Sequence, residues 1–102
     1  MKIVTKKTIR EECWHLDYSL IEWLNQHLKV YYKEANEHID LSYHKFDYKG
    51  KEYTQEQIIV RMIEITNNLL KDKHYFDLED DVYKLGDELF DLLKLVHWAM
   101  WW

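Results

Sequence analysis

The sequence predicts a single, mostly helical α+β domain over 1–102: three main helices with a small β-hairpin between the first and the second. Three observations carry that prediction. Apolar residues recur at steps of three and four over 17–37, 55–71 and 78–100, the period of an amphipathic helix. Between the first two stretches the period drops to two, as a half-buried strand requires. Chain breakers are scarce: there is no proline, and Gly50 and Gly86 are the two glycines among 102 residues, which favours long regular elements.

The N-terminal segment 1–16 carries β-branched residues at 3, 4, 5, 8 and 9. It reads as a loose arm or a short strand. Asp17 is the expected N-cap of the first helix. After it Leu20, Leu24, Leu28, Tyr31 and Ala35 recur on one face, with Ile21 and Tyr32 beside them. In 38–44, Ile39, Leu41 and Tyr43 alternate with His38, Asp40, Ser42 and His44, which predicts a strand. Asp47–Gly50 supplies turn residues, and Lys51–Tyr53 runs back, giving a hairpin over 38–53.

Thr54 and Gln57 form a capping box, each side chain positioned to satisfy the other's backbone N–H, so a helix starts at 55 and runs to 71. Ile58, Met62, Ile65 and Leu69 form its apolar line. A loop follows, and Asp77 opens the last helix, with Glu79, Asp80 and Asp81 at the positive end of its dipole. In that helix Val82, Leu85, Leu89, Leu92, Val96 and Ala99 step 3, 4, 3, 4, 3, a seam suited to a bundle core.

Net charge is −5, and the acidity is concentrated between Asp72 and Asp91, so bulk charge does not suggest a nucleic-acid surface. One cysteine, Cys13, excludes an intramolecular disulfide and fits a reducing compartment. The first 13 residues are charged throughout and no apolar run is long enough to span a bilayer, so the expected location is the cytoplasm, with no membrane association.

Few residues form a chemical constellation. His38, Asp40 and His44 would line one side of the predicted strand, as metal ligands or a triad would. No nucleophile elbow accompanies them, and a solvated polar face explains the same residues. His15 and Asp17, near Cys13, repeat the spacing, and a helix cap is the simpler account.

The last helix is more informative. With Lys84 at zero and about 100° per residue, Asp87, Glu88 and Asp91 lie opposite the core seam. Continued toward the C-terminus, that polar arc becomes Leu95, Trp98 and Trp102, with Trp101 at the edge of the core arc. A helix apolar all round must be covered on both sides. Three covers stay open: the segment 1–16 with Ile3, Val4, Ile9 and Trp14, a second copy of the chain, or a foreign partner. Clustered tryptophans are what interfaces use as anchors.

Two stretches carry resemblances. Glu34-Ala35-Asn36-Glu37, Glu88-Leu89-Phe90-Asp91 and the surrounding KLGDELFDLL resemble MazG-like and dimeric dUTPase-like all-α nucleotide pyrophosphohydrolases. That resemblance implies Mg²⁺ held by Glu34, Glu37, Glu88 and Asp91, oxygen ligands one turn apart suiting that ion. Lys84 stands where the family's segment begins with an acid. The segment YHKFDYKGKEYTQEQII, in a short helical chain closing on two tryptophans, resembles small accessory proteins of phages and prophages. It implies a non-enzymatic protein that binds and blocks or sequesters a host or defence component, able to assemble into a homo-oligomer, without cofactor. The expected partner surface is Leu95, Trp98, Trp101 and Trp102, with Asp87, Glu88 and Asp91 at its rim.

Overall fold

The computed structural model describes residues 6–71 and 80–101. It has the expected mostly helical α+β layout. Helices α1 (Lys6–Cys13) and α2 (Leu16–His38) are followed by a hairpin of β1 (Lys45–Tyr48) and β2 (Lys51–Thr54), then α3 (Gln55–Lys71) and α4 (Asp80–Val96). A 3₁₀ turn, His97–Ala99, continues from α4. The expected N-cap Asp77, Ile3, Val4 and Trp102 lie outside the described residues. No described helix is long and apolar enough to cross a membrane.

The first correction concerns the N-terminal segment. Residues 6–13 form α1, not a strand or a loose arm. The two-stranded sheet pairs β1 only with β2. A lone strand there would leave its backbone groups unpaired, whereas Lys, Arg and Glu readily satisfy theirs in a helix. Helix α2 begins one residue before Asp17. His15 occupies the N-cap position without a side-chain cap bond, and Asp17 sits in the first turn, where its charge suits the dipole.

The second correction concerns 38–44. α2 continues through His38, and Ile39 ends it in extended geometry, its N–H bonded to the Ala35 carbonyl at 2.8 Å. The Asp40 carboxylate accepts bonds from the Ser42 N–H (3.0 Å) and hydroxyl (2.6 Å), an Asx turn that bends the chain where alternation predicted a strand. Leu41 is buried while Tyr43 is exposed, so the two do not share a face. The loop has a use: the Leu41 and His44 carbonyls accept from the Glu56 and Gln55 N–H groups, two donors that α3 cannot satisfy internally.

Phe46 pairs with Tyr53 and Tyr48 with Lys51 across the hairpin. Lys49 (φ 52°) and Gly50 (φ 80°) both lie in the left-handed region, the geometry of a two-residue primed turn. The capping box forms as predicted. The Thr54 N–H donates to Gln57 Oε1 (2.8 Å), and the Gln57 N–H to Thr54 Oγ1 (3.2 Å).

Helix α3 is central, packed between α2 and α4. Its Ile58, Ile59, Met62, Ile65 and Leu69 meet Ile21, Leu24, Leu28 and Ala35 of α2 and Leu89, Leu92 and Val96 of α4. Leu20, expected on the core line of α2, is 43% exposed; Ile21 takes its place. The seam of α4 is otherwise as read: Leu89, Leu92 and Val96 are buried and Val82 and Leu85 are partly so.

The third correction concerns the end of α4, which leaves α-helical geometry after Val96 rather than continuing to 100. Buried Gln55 at the start of α3 donates to the Ala99 carbonyl at 3.0 Å. The Tyr31 hydroxyl of α2 donates to the Trp101 carbonyl at 3.2 Å. These bonds carry the segment 97–101 across toward α2.

Candidate protein-interaction surface

The change of path after Val96 redistributes the aromatic residues. Trp98 is 82% and Trp101 64% exposed. Leu95, expected on the outer face, instead packs partly buried against the core. Among the described residues of the N-terminal segment, α1 packs on α2, and its Ile9 and the adjacent Trp14 are themselves exposed.

The acidic arc is also divided. Glu88 faces α3 rather than solvent, held by Arg61 in a two-pronged ion pair with Nη2 at 2.9 Å from Oε1. This bonding from the guanidinium pushes the Glu88 carboxyl below its ordinary pKa, against partial desolvation, and raises that of Arg61. Asp91 Oδ2 accepts from the Tyr48 hydroxyl of β1 at 3.3 Å. Among the three predicted rim acids, Asp87 alone points outward without a bonded partner of this kind. The wheel located Glu88 and Asp91 opposite the seam, but α3 and the hairpin cover that flank of α4.

The four acids of the Mg²⁺ expectation do not assemble. Glu34 and Glu37 group with His38, their ligand atoms within 4.8 Å of one another, while Glu88 and Asp91 are engaged by α3 and β1. His38, Asp40 and His44 fall on a helix end, an Asx turn and a loop, not on one strand face. The Asp40 carboxyl is held below its ordinary pKa chiefly by the Ser42 hydroxyl, a local turn contact rather than a site. Cys13 is exposed at the end of α1.

An apolar groove of about 410 Å³ runs between α2 and the end of α4, lined by Trp23, Leu24, Leu28, Val30, Tyr31, Leu93, His97 and Met100. Trp23 and Val30 are 53% and 60% exposed on its α2 wall. His27 stacks on Trp23 with ring centroids 3.9 Å apart, and its Nδ1 lies 2.7 Å from the Trp23 carbonyl, fixing the indole. Desolvation raises the Tyr31 pKa, so the phenol on the groove wall stays neutral.

These wall residues were missed in the sequence, though a signal exists. Leu16, Leu20, Trp23 and Val30 form an apolar flank beside the Ile21–Leu24–Leu28 line, so the apolar arc of α2 is wider than one neighbouring helix can cover.

A second concavity, also about 410 Å³, lies among Tyr48, Lys49, Tyr53, Gln57, Ile58, Arg61, Glu88 and Leu92. Its floor is the Arg61–Glu88 pair already satisfied within the fold. Comparison with protein-family models, with curated proteins and with solved structures found no match to this chain.

Proposed function

We propose that the protein is a non-enzymatic interaction module that captures an amphipathic helix of a partner in the groove between α2 and α4. The observation that carries the reading is the groove itself: apolar, between two helices, and flanked by exposed Trp23 and Val30. A helix lays an apolar stripe into such a groove through residues spaced at i, i+3/i+4 and i+7. Aromatic anchors supply most of the affinity of small interfaces. The resemblance to phage and prophage accessory proteins supports a partner among host or defence components, blocked or sequestered by occupation of its helix. It also supports action in the host cytoplasm. Satisfaction of Glu88 by Arg61 weighs against the Mg²⁺-dependent nucleotide pyrophosphohydrolase reading, because it removes an acid from the set that reading needs.

Panning a displayed library of amphipathic helical peptides against the purified protein tests the proposal. Enriched peptides should share the helical apolar spacing, and their binding should be lost on Val30→Glu, an exposed change that leaves the core intact. Peptides indifferent to Val30→Glu, or Mg²⁺-dependent release of pyrophosphate from deoxynucleoside triphosphates, would overturn it.

A further inference from the structure

The outward face of α4 has an order of side chains that the groove does not use. Tyr83 is 54%, Phe90 48% and Trp98 82% exposed, and Asp87 and Lys94 are exposed on the same side of the helix. At about 100° per residue Tyr83, Asp87, Phe90 and Lys94 fall within one arc, turned away from the buried line of Leu89, Leu92 and Val96, and Trp98 stands exposed in the 3₁₀ turn that follows. Leu93 and His97, which line the groove, lie between the two. Neither Asp87 nor Lys94 makes an ion pair among the described residues.

The order of charges is self-complementary. Asp87 and Lys94 share a midpoint between Phe90 and Asp91, and Tyr83 and Trp98 share the same one. A two-fold axis through that point lays α4 antiparallel on its copy. It brings Asp87 of each protomer to Lys94 of the other and the two Phe90 rings together at the centre, with Tyr83 and the Trp98 of the following 3₁₀ turn toward the ends. A parallel pairing would instead set Asp87 against Asp87 and Lys94 against Lys94.

We propose that the chain pairs with a second copy of itself through this face, forming an antiparallel α4–α4 homodimer that leaves both grooves open. The surface is distinct from the groove, so the proposal goes beyond the helix-capture reading and does not depend on it. The area sets its strength. With aromatic side chains of about 150–250 Å² each, the exposed parts of Tyr83, Phe90 and Trp98 offer roughly 100–200 Å² apiece. That is about half of the roughly 800 Å² per partner of a standard interface. The dimer is therefore a weak one in exchange with monomer, and its rim pairs are screened by salt over a Debye length of about 8–10 Å.

Sedimentation velocity over a micromolar to submillimolar concentration series tests it. Wild type should shift from monomer to dimer, more readily at low salt. Asp87→Lys and Lys94→Asp each turn both rim pairs into like-charge contacts and should raise the dissociation constant by about tenfold or more. Mixing the two variants should restore association as a heterodimer. One protomer then presents lysine at both rim positions and the other aspartate at both, so each rim contact again joins opposite charges, an outcome that no folding defect produces. Circular dichroism confirms that each variant is folded. A wild type that stays monomeric throughout the series, a dimer untouched by either charge reversal, or a dimer broken by Val30→Glu instead would overturn the proposal. Loss of peptide capture with the dimer intact would count against the groove alone.

Discussion

Asn25 and Thr66 allow the α2–α3 seam to be taken apart. Both are buried, and Asn25 Nδ2 donates to Thr66 Oγ1 at 2.8 Å and to Asn67 Oδ1 at 2.9 Å. The Thr66 hydroxyl donates in turn to the Met62 or Ile63 carbonyl, at 2.9 and 3.0 Å. Thr66→Val removes an acceptor and leaves a buried Asn25 amide with one partner, which costs about 2 kcal/mol, within the range for an under-satisfied buried donor. Asn25→Leu keeps the side chain's heavy-atom count. It leaves the Thr66 hydroxyl still donating to its own helix and the exposed Asn67 amide free to turn to water, so its cost is about 1 kcal/mol. The double variant has no stranded polar group at the seam and sets leucine against valine. Its cost should be no more than about 1 kcal/mol, against about 3 for the added singles, a coupling of about 2 kcal/mol. Urea unfolding of the four proteins measures it, with Tm falling by roughly 4–8 °C for each kcal/mol lost in a domain near this size. Additivity within about 0.5 kcal/mol would refute the network reading and leave apolar packing as the whole content of the seam.

Two further predictions concern the hairpin side of the fold. The folded-state pKa of Glu88 lies below its ordinary value, so the Arg61 pair stabilises the fold above the unfolded glutamate pKa of about 4.3 and loses that contribution as pH falls further. Wild type should therefore exceed Glu88→Gln in unfolding free energy by about 1 kcal/mol near neutrality, with the gap closing below about pH 4; a gap that persists at pH 2 would contradict this. In the turn, Gly50 has φ 80° and open space where a Cβ would stand, so Gly50→Ala costs only what the left-handed backbone demands, about 1 kcal/mol by thermal or urea unfolding. Lys49→Asn should gain a few tenths, because asparagine suits that backbone, less what is lost when the ammonium leaves its position 5.4 Å from the Tyr48 ring centroid.

What was legible in the sequence followed from local chemistry. The Thr54–Gln57 box reads directly because four consecutive residues contain both partners. The apolar lines of α3 and α4 read because burial on one side imposes the helical period. Alternation over 38–44 misled because an Asx turn places Leu41 inward and Tyr43 outward without a ladder, and nothing in the period separates the two cases. The wheel of α4 misplaced Glu88 for a different reason. It locates a side chain around one helix but not the neighbour that covers it, and Arg61 lies 27 residues away on α3.

The end of α4 shows the limit most clearly, because there a polar contact overrides an apolar pattern. Val96, Ala99 and Met100 keep helical spacing, and a helix carried on through Trp101 would have kept Trp98 and Trp101, three residues apart, as neighbours on one face. Gln55 instead stands fully buried at the start of α3, its amide N–H on the Ala99 carbonyl and its Oε1 without a partner. A buried amide with an unpaired oxygen costs stability that a leucine would not. What it gives is positional: the bond to Ala99, with that from Tyr31 to Trp101, turns the segment toward α2, where Tyr31, His97 and Met100 line the groove. The exposure of Trp98 and Trp101 is thus a consequence of where Gln55 and Tyr31 hold the backbone. The tryptophans report a surface, and the two polar residues that shape it sit on other helices.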